Sequence, residues 1–523
     1  MYIFKIFFFL IFLLMFIFFT FFYLSFSFLE WVFFSLKFKS YLNFLLFSLV
    51  LFFIVVMVIV YSSYYMNGNL SYSYYCSMLL CFVFSMFMLN FSNSVFSLMI
   101  SWDLLGISSF FLVLFYNNWD SNSGAMSTVM TNRIGDFFLF VFLGGSFFVN
   151  LFMDVEIYFY FFMCYFLLFG SFTKSAQFPF SGWLPKAMSA PTPVSSLVHS
   201  STLVTAGLIL LMGYGVLLFN VVLLRLMFFF GLLTMFFSSI LALLEEDMKK
   251  VVALSTLSQL GFMMLSLGLG LFFLSFVHLL SHALFKSCLF MQMGYIMHKN
   301  MGEQDNRNWM NSSVSEVVKL QIMVTLFCLC GLFFLSGMIS KDLLLEFFFC
   351  STVGWFIFFL FFVSVMLTFF YSYRLFKSLL LSSFKVVLVV TESFLMSFLS
   401  LLLVIFSIFF IYWLNVNLFF LPSVFIYVDF YLPLFFLLFF CIFFFIMVKF
   451  VSNLIKWKFL SEYFNVYVMR LLSNFLFLSN FVDSVGSLMF MNLKYVSYFS
   501  LKSFLSIWLN SIMIMIFLLM IFF

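Results

Sequence analysis

Residues 434–447 read LFFLLFFCIFFFIM, fourteen apolar residues with no polar interruption. A lipid-facing β-strand alternates apolar and polar side chains over about ten residues, whereas a helix satisfies its backbone within one continuous apolar run. This block does not alternate, so it reads as helix. The same holds for NFLLFSLVLFFIVVMVIVY at 43–61. With about 20 apolar residues per crossing, spans fall near 2–29, 41–61, 76–91, 94–115, 126–150, 158–173, 194–214, 220–243, 249–270 and 271–298. Others fall near 315–346, 352–379, 391–414, 430–451 and 505–523. The expected fold is all-α: a polytopic membrane helix bundle of about 15 transmembrane helices, some of them broken.

Composition agrees. The 523 residues are 66% hydrophobic, 25% aromatic and 8% charged, with 97 Phe and 6 Pro, and the mean hydropathy is +1.25. Soluble domains carry roughly 25% charged residues, and a globule of this size has too little polar surface to cover such a chain. Soluble enzymes, disordered chains and nucleic-acid binders are excluded. The net charge of +5 is scattered, with no basic tract for gripping phosphates. The eight cysteines form no CxxC pair and read as small buried hydrophobes. No Arg-rich, Ser-rich transit sequence precedes the first apolar run.

Polar features concentrate centrally. Thirteen of 18 acids lie between Asp103 and Glu346, as do all four histidines. Pro179, Pro185, Pro191 and Pro193 fall within 15 residues, marking a helix break at membrane depth that needs protein or cavity around it. From about Lys449 to Lys502 polar residues recur too often for a buried span, and a long amphipathic helix along the membrane fits best.

Intramembrane charge costs about 2.5–3.5 kcal/mol on insertion scales, so each charge there is a functional candidate unless it sits at a helix end and snorkels. Asp103 lies between apolar runs in SWDLLGISSFF. Arg133 and Asp136 in NRIGD stand three apart and are close enough to pair, which suits a structural ion pair equally well. Lys174 ends an apolar run beside Ser175, Gln177 and the prolines; His199 follows in PTPVSSLVHSST, among hydroxyls suited to a wetted channel. His278, His282 and Lys286 stand at i, i+4 and i+8, about 40° apart around a helix, and so form one stripe roughly 12 Å long. Zinc is disfavoured there, because no carboxylate completes a site and Lys286 would repel the metal. A proton relay suits titrating histidines beside a lysine. Lys341, Asp342 and Glu346 follow GLFFLSGMIS, where Gly331 and Gly337 permit a break. Arg374 and Lys377 read as snorkelling residues, Asp120 as part of a solvated loop, and Glu245–Lys250 as a solvated turn. There is no phosphate loop, nucleophile elbow, or metal or haem ligand set.

These residues lie in strings with a specific resemblance. SWDLLGISSFFL, TNRIGD, TKSAQFPFSGWLPKAMSAPTPVSSLVHSSTLVTAG, DMKKVVALSTLSQLGFM, HLLSHALFKSCLFM, EQDNRNWM, FLSGMISKDLLLE and FYSYRL run in order from about residue 90 to 380. They resemble the NADH:ubiquinone oxidoreductase chain 5 family, antiporter-like subunits of respiratory complex I whose relatives include subunits of multi-subunit cation/proton antiporters.

The resemblance implies a core membrane subunit that translocates protons and itself carries no redox centre. NADH, FMN, iron–sulfur clusters and ubiquinone would belong to partner subunits. Asp103 falls where the family has a glutamate paired with the lysine matched by Lys174. His199, His278, His282 and Lys286 match a connecting relay, and Lys341 matches the lysine of a second broken helix, with Arg133, Asp136 and Asp342 in support. The implied division is 1–93 N-terminal membrane spans, 94–380 antiporter-like proton-translocating core, 381–451 additional spans, 452–504 lateral amphipathic helix and 505–523 anchor span. The lateral helix would run beside neighbouring antiporter-like subunits, with lipids as the remaining surroundings and no nucleic acid. The expected location is the mitochondrial inner membrane, with the gene in a T-rich mitochondrial genome. A stand-alone cation/proton antiporter subunit is the alternative. Two departures stand out: Asp103 is one methylene shorter than the family's glutamate, and one N-terminal span precedes SLKFKSYLN where the family usually has two.

Overall fold

The computed structural model describes residues 25–30, 35–39, 42–151, 157–214, 220–300, 302–305, 309, 314–331, 336–350, 354–380 and 394–414. The spans expected near 430–451 and 505–523, the lateral helix at 452–504 and most of the span expected at 2–29 lie outside these residues. Residues 25–29 of that last span belong to a strand instead. β1 (Ser25–Glu30) pairs antiparallel with β2 (Ser35–Lys39), with Phe26 opposite Phe38 and Ser27 opposite Lys37. The polar–apolar alternation of SFSF and SLKFK has the period of a strand rather than of a spanning helix.

The rest is a helical membrane bundle. α1 (Leu42–Tyr65), α2 (Tyr72–Phe91) and α3 (Val95–Val113) pass back and forth, and the Ser94 hydroxyl caps α3 by accepting from Ser97 N at 3.3 Å. α4 (Trp119–Leu151) begins seven residues before the expected span. Asp120 therefore sits in its first turn, where a carboxylate suits the helix dipole, and not in a loop. Ser121 Oγ accepts from the Asn118 N–H at 2.7 Å just ahead of it.

α5 (Ile157–Lys174) stops at the proline cluster, and Ala176 takes a left-handed φ of 53° immediately after it. The chain then makes the single turn α6 (Trp183–Lys186) before re-entering the bundle as α7 (Thr192–Leu197). A π turn (Val198–Thr202) joins α7 to α8 (Leu203–Gly213). Hydroxyls serve the carbonyls that the wider turn leaves: Thr202 Oγ1 donates to Leu197 O at 2.8 Å and Thr205 Oγ1 to Ser201 O at 2.8 Å.

α9 (Val221–Leu244) and α10 (Met248–Gly268) pack backbone to backbone at Gly231, where a Cβ would stand 2.6 Å from Leu265 N. α11 (Phe272–Lys299) is the buried centre of the bundle. The span expected at 315–346 is two half-helices, α12 (Glu316–Cys330) and α13 (Ser336–Cys350). Gly331 ends α12 at φ 76°, the left-handed cap that glycine adopts freely. α14 (Trp355–Leu380) and α15 (Phe394–Leu414) complete the described chain.

Among the described residues, eight helical segments are each long and apolar enough to cross a membrane. Arg374 does more than snorkel: its Nη1 donates to Ala242 O at 3.1 Å and Leu243 O at 2.5 Å, holding the carbonyl end of α9. The turn at Glu245–Lys250 is not wholly solvated either. Lys250 pairs with Asp247 near the surface, but Lys249 is buried, with its ammonium donating to the Ala190 carbonyl. One residue of helix turns the side chain about 100°, so adjacent lysines take opposite environments.

Candidate functional site

The first cluster forms where the end of α5 meets α3 and α4. Lys174 is fully buried, its Nζ donates to the Trp102 carbonyl at 2.7 Å, and the ammonium lies 3.7 Å from the centre of the Trp102 ring. The indole Nε1 donates to Asp136 Oδ1 at 3.0 Å, and Arg133 Nη1 donates to Asp136 Oδ2 at 3.1 Å. The same guanidinium stands 4.0 Å from Asp103 Oδ1. The expected Arg133–Asp136 pair is present. Asp103 and Lys174, by contrast, make no direct ion pair among the described residues. The Asp103 carboxylate faces Arg133 instead, and its side chain is 34% exposed.

His199 sits in the π turn, buried, with its ring 6.1 Å from that of Trp183 and neither ring nitrogen hydrogen-bonded to any of the described residues. Lys249 is near enough to act on it electrostatically. Trp183 is fixed in turn, donating its Nε1–H to Thr173 O at 3.0 Å. The backbone break thus places His199 and several hydroxyls in one π turn, with Lys249 of α10 held on the Ala190 carbonyl shortly before it.

The stripe on α11 has the expected geometry. His278, His282 and Lys286 are each fully buried, and the two imidazole rings are 6.5 Å apart. Lys286 Nζ donates to Ser255 Oγ on α10 at 2.6 Å. His282, like His199, has no protein partner on either ring nitrogen among the described residues. His278 has two: Ser340 Oγ at 2.8 Å from Nδ1 and Gln259 Oε1 at 3.1 Å from Nε2.

Lys341 follows Ser340 on α13. Its Nζ donates to Leu329 O at 2.6 Å and Cys330 O at 3.1 Å, the last carbonyls of α12. Those carbonyls are left without intrahelical donors and form the negative end of a helix dipole, so the break at Gly331 itself builds a seat for an ammonium. Lys341 interacts electrostatically with both His278 and Lys286. Asp342 is on α13, and its side chain lies outside the described residues, as does that of Glu346.

Asp103, Arg133, Asp136 and Lys174 therefore gather at the end of α5, His199 stands in the π turn, and His278, His282 and Lys286 line α11, with Lys341 at the second break. Trp102, Lys249, Ser255, Gln259, Ser340 and Tyr371 complete the groups and were not singled out in the sequence. Ser255, Ser258 and Gln259 had a readable signal, a polar stripe at helical spacing inside an apolar span. Trp102 had none, because its backbone carbonyl carries half of its role.

A family profile described as NADH:quinone oxidoreductase/Mrp antiporter, TM, matches residues 92–368, which covers both breaks and the α11 stripe. The NADH-ubiquinone oxidoreductase chain 5 of Caenorhabditis elegans is 53% identical over 488 residues, 92% of each chain. The chain belongs to the NADH-ubiquinone oxidoreductase chain 5 family. The chain 5 protein of Ascaris suum is 51% identical over 483 residues, 92% of this chain and 88% of that one. Among solved structures, a chain of the Mrp complex from Dietzia sp. DQ12-45-1b superposes with a TM-score of 0.64 at 24% identity, covering 73% of this chain and 44% of that chain. A chain of the membrane-bound sulfane sulfur reductase, an archaeal respiratory membrane complex, gives 0.64 at 18% identity, with 73% and 82% covered. At those identities the likeness is one of fold. The fold of the helical bundle is thus shared with chains of these two assemblies.

Proposed function

We propose that this chain is the chain 5 subunit of respiratory complex I in the mitochondrial inner membrane and carries protons along its buried ionisable axis. The observation that carries the reading is the series Lys174, His199, His282, His278 and Lys286, all buried and, among the described residues, seated on hydroxyls or carbonyls or with bare ring nitrogens, together with Lys341 buried on the α12 carbonyls. A permanent charge in such surroundings is expensive without a paired carboxylate. Groups that take up a proton and pass it on fit the site better. The bare nitrogens of His199 and His282 suit water as the connecting element, since buried polar atoms are rarely left without a partner.

Each half of the axis has its own polar end: Asp136, Arg133 and Asp103 beside Lys174, and the α12 carbonyls beside Lys341. Residues 94–380 form the translocating core on this reading, and Asp342 supports Lys341. Electron transfer from NADH through FMN and iron–sulfur clusters to ubiquinone takes place in partner subunits, with neighbouring antiporter-like subunits lying along residues 452–504. The family membership and the charge placement both support the assignment.

Native purification from mitochondrial membranes tests it. The chain is expected to co-purify with an NADH-oxidising, quinone-reducing assembly. Recovery in a cation/proton antiporter without NADH-oxidising partners would replace this reading with the antiporter one.

A further inference from the structure

Five hydroxyl, amide and imidazole groups on α10, α11, α13 and α14 form one hydrogen-bonded chain around His278. Ser340 Oγ lies 2.8 Å from His278 Nδ1 and Gln259 Oε1 lies 3.1 Å from His278 Nε2. Gln259 Nε2 donates to the Tyr371 hydroxyl at 3.2 Å, and that hydroxyl lies 3.0 Å from Ser258 Oγ. All five side chains are buried.

The far end sets the direction of every bond. Ser258 Oγ donates its one proton to the Ser255 carbonyl at 2.9 Å, so toward Tyr371 it can only accept. Tyr371 O–H therefore donates to Ser258 and accepts from Gln259 Nε2. The Gln259 carbonyl oxygen is then left facing His278 Nε2, and an oxygen there requires an N–H. His278 Nδ1 is the open lone pair, and Ser340 O–H points at it; the rival acceptor for that hydroxyl, Gly337 O, is more distant at 3.3 Å. Imidazole tautomers follow the bonds that the ring makes. Turning the Gln259 amide over would reverse the chain, and Ser258 would have to leave the Ser255 carbonyl to donate to Tyr371.

We propose that Gln259 is a positioning residue that fixes the proton-bearing nitrogen of His278, with Tyr371 as the brace that keeps the amide in that orientation. His278 then takes up and releases its second proton at Nδ1, on the side of Ser340 and Lys341, while Nε2 keeps its own. The inference rests on the proposed proton axis, because it concerns which face of one relay member is open.

The test uses the intact NADH-oxidising assembly in liposomes, scored as protons moved per NADH oxidised. Gln259→Leu removes the acceptor from Nε2, and Tyr371→Phe removes the brace; both are expected to lose part of the pumping ratio. Gln259→Glu keeps an oxygen facing Nε2 and is expected to retain more of the ratio than Gln259→Leu. A packing role predicts the opposite order, because leucine suits an apolar interior and a carboxylate does not. Equal ratios in Gln259→Leu and the unaltered assembly, or a better ratio in Gln259→Leu than in Gln259→Glu, would overturn the proposal. Assembly is checked on a native gel; should Gln259→Leu fail to assemble, Tyr371→Phe decides, and an unaltered ratio in that variant overturns the proposal. His278→Ala separates the two levels. An unaltered ratio in that variant rejects the axis itself, whereas a lost ratio in His278→Ala with a normal one in Gln259→Leu rejects only the fixing role.

Discussion

Lys174 and Asp136 are joined through a single residue: the Lys174 ammonium donates to the Trp102 carbonyl at 2.7 Å, and the Trp102 indole donates to Asp136 at 3.0 Å. The lysine thus meets the buried acid across an aromatic ring and has no acid in direct contact among the described residues. Trp102→Phe keeps the ring and the carbonyl but strips Asp136 of one donor, a loss of about 1–3 kcal/mol for a buried acceptor. The expected outcome is a fall in protons moved per NADH with the assembly retained. An unaltered ratio would show that the indole N–H has no part in coupling.

The two acids near Lys174 are unequal. Asp136 is buried and holds the Arg133 guanidinium at 3.1 Å, whereas Asp103 is one-third exposed and 4.0 Å from the same group. Asp136 loses both the Arg133 contact and the Trp102 indole hydrogen bond when its charge is removed, whereas Asp103 loses only a contact at the limit of pairing distance. Asp136→Asn is therefore expected to reduce both assembly and pumping more than Asp103→Asn does, measured on native gels and in liposomes. The reverse ranking would return the principal role to Asp103.

Much of this was legible in the sequence because charge is scarce in it. The α11 stripe follows from spacing alone, and its three side chains are buried on one helix. The Pro179–Pro193 cluster announced the first break. The second was harder, since Gly331 and Gly337 both permit one, and it takes the φ of 76° at Gly331 to place it. Spacing along a chain cannot show that Lys174 chooses a carbonyl from a different helix, nor that Lys249 points inward while Lys250 points out. Those facts belong to packing, where a rotation of one residue decides the partner.

Gly337 marks where the two half-helices of the second break touch. A Cβ there would overlap the Cys328 carbonyl oxygen, a backbone atom with no rotamer to yield. Gly337→Ala is expected to push α13 from the end of α12, cost about 1–3 kcal/mol as overpacking, and unseat Lys341 from its carbonyls. Thermal inactivation of the purified assembly should begin at a lower temperature than in the unaltered complex. Equal inactivation would mean that the half-helices separate without penalty.

On the proposed function the buried cations move protons and do not merely hold the bundle together, and Lys286 is the residue at which the two roles separate most cleanly. Its ammonium touches one hydroxyl, Ser255 Oγ at 2.6 Å, and no carboxylate among the described residues, so Lys286→Met removes a charge without orphaning an acid. The decisive measurement is protons moved per NADH oxidised by the reconstituted assembly carrying Lys286→Met. The expected complex assembles and oxidises NADH but moves fewer protons per NADH; an unchanged ratio would mean that the buried cations only hold the bundle together.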